Sequence, residues 1–254
     1  MSLIKSTEEI ELLREGGKEL SRILHKVAKE AKPGKTTAEL NEMAENMIKD
    51  FGGRPSFKNY GDFENPFPSG LCTSVNEQLV HGIPSDYKLK NGDILSLDIG
   101  MEYPLPNGLY TDMAITVPVG KVDKKARQAI RVAKGALKVW TDNLGPGKDL
   151  NDIAGKVEKH IEKKRLSVVR SFVGHGVGHK VHEEPQIPNY HIEGFSFVLK
   201  PGMVIALEPM VSVGSPEVEI LPDGWSAASV DKSLTGHWEH TVAITEKGCK
   251  IITK

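Results

Sequence analysis

The sequence predicts an α+β fold of two similar halves, with helices on one side of a curved antiparallel sheet and a pseudo-twofold axis between the halves. Three pairs of matching segments carry this expectation. Residues 33–40 (PGKTTAEL) resemble residues 146–153 (PGKDLNDI), 113 positions on. Residues 89–98 (LKNGDILSLD) resemble 199–208 (LKPGMVIALE), 110 positions on. Ala114-Ile115-Thr116 returns as Ala243-Ile244-Thr245, 129 positions on. The matches keep their order, as expected of a duplicated unit of about half the chain whose loops differ in length.

Each element of the unit can be read in turn. Ser6 with Glu9 has the form of a capping box, and Leu13, Leu20, Leu24 and Val27 follow at helical spacing. Pro33-Gly34 ends that helix. Thr36 with Glu39 then opens a second one carrying Leu40, Met43, Met47 and Ile48. The second half repeats the pattern. Asp123 leads Ala126, Ile130, Ala133 and Leu137, Pro146-Gly147 intervenes, and Asp149 leads Ile153, Val157 and Ile161. Short apolar runs bounded by Gly, Pro and Asn follow each helix pair and read as strands, most clearly 94–99, 113–117, 204–207 and 242–244. A junction near residues 118–123 divides halves of about 1–120 and 121–254, and the expectation is one domain spanning 1–254.

Composition narrows the class. At 254 residues the chain can bury a substantial core, and its 39% apolar and 26% charged content is ordinary for a globular protein. A formal charge of −1 gives no electrostatic reason to expect nucleic acid or an anionic membrane. Two cysteines, Cys72 and Cys249, cannot make a disulfide framework, which fits a reducing compartment. The first residues lack the apolar stretch of a signal peptide, and no run approaches the roughly 18 apolar residues of a membrane span. The expectation is a cytoplasmic protein, with a monomer as the working assumption.

The repeat has a consequence for charge. Asp98 and Glu208 hold the same place in the two halves, each at the end of an apolar strand. Asp112 and Glu239 each precede one of the Ala-Ile-Thr segments. Symmetry then brings four carboxylates toward one axis, where they would repel strongly unless cations neutralised them. Two divalent ions balance four negative charges, with His175 as a neutral nitrogen ligand. Any one of these carboxylates alone reads more readily as a turn cap or a solvated strand edge. Metal binding is read from the four together.

His175, His179 and His182 stand at i, i+4 and i+7, a spacing that would line one face of a helix. Gly174, Gly176 and Gly178 argue against a helix, since each glycine costs about 1 kcal/mol relative to Ala. In an extended chain His175 and His179 share a face and His182 points the other way, so all three do not serve one metal. His179, between Gly178 and Lys180, is expected to be exposed or to stand behind the ligands.

At this point the motifs match a family. They are Val80-His81-Gly82-Ile83-Pro84, Leu97-Asp98, Thr111-Asp112, Gly174-His175-Gly176-Val177-Gly178, His182-Glu183-Glu184-Pro185, Leu207-Glu208-Pro209-Met210, Asp223-Gly224-Trp225 and Glu239-His240-Thr241. In that order, from about residue 5 onward, the chain resembles the type I methionine aminopeptidases, with their duplicated pita-bread fold. The 26 positions from His182 to Glu208 leave no room for the long insertion that marks type II members, and the bacterial form is expected. The resemblance implies that Asp98 grips one metal, that Asp112 and Glu239 bridge two, and that His175 and Glu208 complete the second site. It also makes Glu208 a proton shuttle, and makes His81 and His182 hydrogen-bonding partners of the scissile amide and its intermediate. Without it, His81 and His182 read as satisfied buried histidines. One imidazole among four carboxylates is an oxygen-rich set that favours Mn(II) or Fe(II) over zinc, with Co(II) as an activator in vitro.

The same resemblance places Phe67, Cys72 and Trp225 along the slot for the methionine side chain. Val181 stands where the family often has an aromatic, residues 58–67 depart from the usual loop, and 14 positions separate Asp98 from Asp112, a few more than is typical. These departures predict a somewhat wider methionine site with unchanged chemistry. The implied activity is removal of an N-terminal methionine from nascent proteins when the second residue is small. Two alternatives stand beside it. One is an Xaa-Pro aminopeptidase or prolidase of the same fold, although those carry a large N-terminal domain and helix signals here begin by residue 7. The other is a pita-bread binding protein without catalysis, although such proteins lose ligands and all five positions are filled here. A nascent-chain substrate suggests the ribosome as a partner. Segment 213–232, read as a surface hairpin, offers only Lys232 as a basic residue against Glu217, Glu219, Asp223 and Asp231.

Overall fold

The computed structural model describes residues 3–254. Its first half runs α1 (Thr7–Glu30), α2 (Thr37–Phe51), β1 (Arg54–Pro55), β2 (Leu71–Val75), β3 (Gln78–Val80), β4 (Ile94–Tyr103) and β5 (Leu109–Pro118). The second half opens with α3 (Lys124–Asn143), α4 (Leu150–Glu162), β6 (Ser167–Val168), β7 (Gly174–Gly176) and β8 (Glu183–Ile187). It continues through β9 (Val204–Leu207), β10 (Met210–Ser212), β11 (Val218–Ile220), β12 (Ala227–Ser229), β13 (Thr235–His237), β14 (His240–Thr245) and β15 (Gly248–Ile251).

The helix starts form for the reasons legible in the sequence. Ser6 Oγ accepts from the Glu9 amide at 3.2 Å while the Glu9 carboxylate accepts from the Ser6 amide at 2.7 Å, and Thr36 with Glu39 repeats the exchange. Asp123 and Asp149 cap α3 and α4 through the amides of Ala126 and Asn151. Leu20, Leu24, Leu40 and Ile48 pack on Leu95, Leu97 and Ile99 of β4. In the second half Leu137, Trp140, Ile153 and Val157 pack on Ile205, Leu207, Val242 and Ile244. Full burial of each such side chain is worth about 1.5–3 kcal/mol, so each helix pair is held chiefly by its own sheet.

The strands exceed their apolar runs. β4 and β5 pair from Ile94↔Pro118 to Tyr103↔Leu109, beyond residue 99 where the apolar pattern breaks. The ladder runs on past Glu102 because that buried carboxylate is satisfied by Arg54, the Tyr110 hydroxyl and the Gly108 amide. All pairings are antiparallel, in four hydrogen-bonded pieces: β1-β4-β2 with β5 on β4, β13-β10-β6, β11-β12-β3, and β15-β14-β9-β7-β8. The expected hairpin within 213–232 is present as β11 against β12.

Hydrogen bonds across the axis define the symmetry. The Asp112 amide donates to Thr241 Oγ1 at 2.9 Å, and Thr241 Oγ1 donates to the Asp112 carbonyl at 2.8 Å. The His237 amide and carbonyl make the same pair of bonds with Thr116 Oγ1, both at 2.8 Å. Between them the Glu239 amide donates to the Ala114 carbonyl at 2.8 Å. The halves therefore correspond at a spacing of 125 (112 to 237, 114 to 239, 116 to 241). This corrects the 129-residue match. Ile and Thr are common in strands, so the Ala-Ile-Thr tripeptides recur by coincidence, and they lie four positions out of register. Asp112 is thus matched by His237, and Glu239 by Ala114. The 110-residue relation of Asp98 to Glu208 stands, because Asp98 pairs with Ala114 and the β9–β14 register brings Glu208 opposite Glu239.

Candidate metal centre

Asp98 comes from β4, Asp112 from β5, His175 from β7, Glu208 from just beyond β9, and Glu239 from just before β14. All five are buried, between 2% and 8% exposed, and all line one cavity of about 630 Å³. Asp112, His175 and Glu239 each bring one ligand atom to within 4.8 Å of the others. His175 Nε2 lies 3.4 Å from Glu208 Oε1 and 3.9 Å from Asp112 Oδ2.

The tautomer of His175 is fixed by its other nitrogen. Nδ1 lies 2.9 Å from the Gly176 carbonyl, which can only accept, so Nδ1 carries the proton and Nε2 turns a bare lone pair toward the carboxylates. Burial, with His182 nearby, lowers the His175 pKa to about 3, so the ring stays neutral. Burial also raises the carboxylates, Asp98 to about 7 and Asp112, Glu208 and Glu239 well above their usual range. For Asp112, Glu208 and Glu239 the neighbouring carboxylates add to the rise. Asp98 Oδ1, Asp112 Oδ1 and Glu239 Oε1 are buried without a hydrogen-bond partner among the described residues. A lone pair and unpartnered carboxylate oxygens facing one another repel, and a cation between them reverses the sign of each contact. The set fits a divalent metal.

The surrounding residues orient these groups. Asn189 Nδ2 donates to the Glu208 carbonyl at 3.1 Å, and its Oδ1 accepts from Trp140 Nε1 of α3 at 2.8 Å. His81 follows β3 with φ 58°, in the left-handed region that histidine tolerates better than bulkier residues. A Cβ on the adjacent Gly82 would meet the Thr73 carbonyl at 2.6 Å, so the turn that aims His81 into the cavity requires glycine there. Its ring packs edge-on against Phe172 and Trp225. Burial, then His182, lowers its pKa to about 4. His182 stands open to the cavity, and the protein packed around the rest of its ring lowers its pKa. The ring meets His175 at 4.4 Å between centroids, and its Nδ1 lies 2.6 Å from the Tyr60 hydroxyl.

His179 turns away from the cavity. Its Nε2 lies 2.6 Å from Glu9 Oε1 of α1, and its amide donates to Glu183 Oε1 at 2.5 Å. Glu183 Oε2 in turn pairs with buried Lys5 at 2.6 Å, so the segment carrying His182 is stitched to the start of the chain. Phe67, Cys72 and Trp225 line the cavity beside the metal-facing groups, with Phe67 edge-on to Trp225 at 5.3 Å. Val181 is buried in the same apolar cluster as Phe57, Phe67 and Cys72. Phe57 supplies an aromatic wall that the sequence reading did not single out. Tyr60 and His237 likewise carry no signal in the sequence beyond residue type.

Residues 11–246 match metallopeptidase family M24. The chain belongs to metallopeptidase family M24. Within M24 its likeness to methionine aminopeptidases runs end to end. It is 42% identical to methionine aminopeptidase 1 of Bacillus subtilis, covering 100% of both chains. It is also 42% identical to a methionine aminopeptidase of Clostridium perfringens, covering 100% of this chain and 99% of that one. The crystal structure of a Thermotoga maritima methionine aminopeptidase superposes with a TM-score of 0.93 at 40% identity, covering 99% and 98% of the two chains. A Pyrococcus furiosus prolidase shares the M24 fold at 0.79 and 26% identity, with this chain covering 65% of that one. The chain stands with the type I bacterial methionine aminopeptidases, as its motifs imply. Among the described residues no helix is long and apolar enough to cross a membrane.

Proposed function

We propose that this M24 hydrolase removes the N-terminal methionine of proteins and peptides whose second residue is small, with residues 1–254 acting as one catalytic unit. The observation that carries this reading is the bare His175 nitrogen facing four buried carboxylates, beside an apolar slot and two further histidines. Asp98 would hold one divalent ion, Asp112 and Glu239 would bridge two, and His175 and Glu208 would complete the second. The oxygen-rich set favours Mn(II) or Fe(II). Bound there, the ions supply the Lewis acidity that activates water near neutral pH. Phe67, Cys72 and Trp225 hold the methionine side chain. His81 and His182 hydrogen-bond the scissile amide, and a Tyr60 hydroxyl donating to Nδ1 of His182 leaves Nε2–H free to donate into the cavity. Glu208 carries a proton to the leaving amine. The substrates are nascent-chain N-termini, which would place the enzyme in the cytoplasm near the ribosome.

The test is to add Mn(II) or Co(II) to metal-free protein and offer Met-Ala-Ser, Met-Lys-Ser and Ala-Pro peptides. Methionine should be released from the first alone. Cleavage of Ala-Pro alone would favour the prolidase reading, and inactivity with every metal would leave a binding protein. Comparable turnover of Met-, norleucine- and Leu-initiated peptides would support the wider pocket inferred at Val181, whereas an absolute preference for Met would count against it.

A further inference from the structure

His237 is 1% exposed, and neither ring nitrogen has a hydrogen-bond partner among the described residues. Burying an unpaired imidazole costs free energy, so a chain that keeps one in its core is expected to use it. The ring is aimed: Nε2 lies 3.7 Å from Glu208 Oε2, on the side of the carboxylate away from His175. Its backbone is locked. The Thr116 hydroxyl bonds both the amide and the carbonyl of His237 and is itself 2.8 Å from Ser96 Oγ, all of it buried. Thr241 holds Asp112 by the same two bonds, so His237 stands where the other half places a metal-facing aspartate. The pseudo-symmetry has put a nitrogen donor at a position built to face the centre.

We propose that His237 is a positioning residue for Glu208, donating Nε2–H to Oε2 so that Oε1 is turned toward His175 and the metal. An N–H···O bond needs about 2.7–3.2 Å, so a movement of roughly 0.5–1 Å closes the gap, as active-site bonds commonly tighten when a site fills. With Asn189 on its carbonyl and His237 on its second oxygen, Glu208 would be held at both ends. Imidazole suits this better than a charged donor. A neutral ring offers an N–H without adding a buried charge.

The inference rests on Glu208 being a ligand, as proposed above, and is tested on metal binding rather than on peptide turnover. Metal-free wild type, His237→Leu and His237→Gln are titrated with Mn(II) by calorimetry, alongside melting curves. Loss of a partner behind a ligand typically weakens metal affinity 10–100-fold. His237→Leu should bind Mn(II) at least tenfold more weakly, and His237→Gln, which keeps an N–H donor, should recover most of the loss. With Met-Ala-Ser and saturating metal, His237→Leu should lower kcat and leave KM nearly unchanged. Wild-type affinity in a folded His237→Leu overturns the proposal, and so does a His237→Gln as deficient as the leucine variant. If no variant cleaves any peptide, the proposed activity fails while the titration still decides the role of His237.

Discussion

At His182 the Tyr60 hydroxyl lies 2.6 Å from Nδ1, across 122 residues of sequence, and under the proposed function a hydroxyl donating there would leave Nε2–H for substrate. A net hydrogen bond is worth about 0.5–1.5 kcal/mol, so Tyr60→Phe should lower kcat roughly three- to tenfold with KM and Tm nearly unchanged. Steady-state kinetics on Met-Ala-Ser with Mn(II) checks this, and a variant altered only in KM would contradict it. The carboxylates give the opposite pattern. Asp112 is buried, has one unpartnered oxygen and holds its proton tightly. Asp112→Asn should therefore leave the metal-free protein as stable as wild type or more so, while abolishing high-affinity Mn(II) binding in a titration. Asp98, Asp112, Glu208 and Glu239 were legible in sequence only as a set beside apolar strands, since any one of them alone reads as a cap or a solvated edge. Tyr60 and His237 were not, because a tyrosine in a loop and a histidine in a short polar run have ordinary explanations until a fold gives them neighbours.

The helices form largely from local sequence. Each N-terminus is satisfied within three residues of its cap, so all four starts could be read without knowing the fold. Thr36→Ala removes one such cap and should cost about 1 kcal/mol in urea unfolding, with the metal site untouched. The 177–183 segment is the contrary case, since it is held by Lys5 and by Glu9 of α1. Lys5 and Glu183 are nearly fully buried as a pair, and His179 is tied to the capping glutamate Glu9. Lys5→Met removes the cation from the buried Glu183 carboxylate, leaving it only the His179 and Lys180 amides, and should destabilise by about 3 kcal/mol. Because His182 adjoins Glu183, kcat should fall as well. A variant with wild-type unfolding and kcat would show that the stitch is dispensable. Nothing in the glycine-rich run itself indicates that its anchor lies at the start of the chain.

For the molecule as a whole, the buried cluster sets how stability depends on pH. In metal-free protein Asp98, Asp112, Glu208 and Glu239 bind protons more tightly folded than unfolded. Their contribution is therefore present at low pH and lost as pH rises, for Asp98 through about 7. His81, His175, His237 and His240 have depressed values and act oppositely, contributing above their unfolded pKa of about 6.5 and losing that contribution as pH falls. From pH 6.5 to 8.5 the histidine contribution is constant and that of the carboxylates is the one that declines. The Tm of metal-free protein should fall from pH 6.5 to 8.5, and Mn(II), which takes the deprotonated ligands, should raise it most at pH 8.5. A metal-free Tm that climbs over that range would contradict the cluster's charge state. The same cluster separates what each level of structure decides. By itself the sequence determined the two helix pairs and the strand cores, because capping and periodicity act over a few residues, and it marked the carboxylates as charges beside apolar strands. Only the tertiary structure decided the register across the pseudo-twofold axis. That register is set by hydrogen bonds between Thr116 and His237 and between Thr241 and Asp112, more than 100 residues apart. It is why Asp112 answers to His237 rather than Glu239.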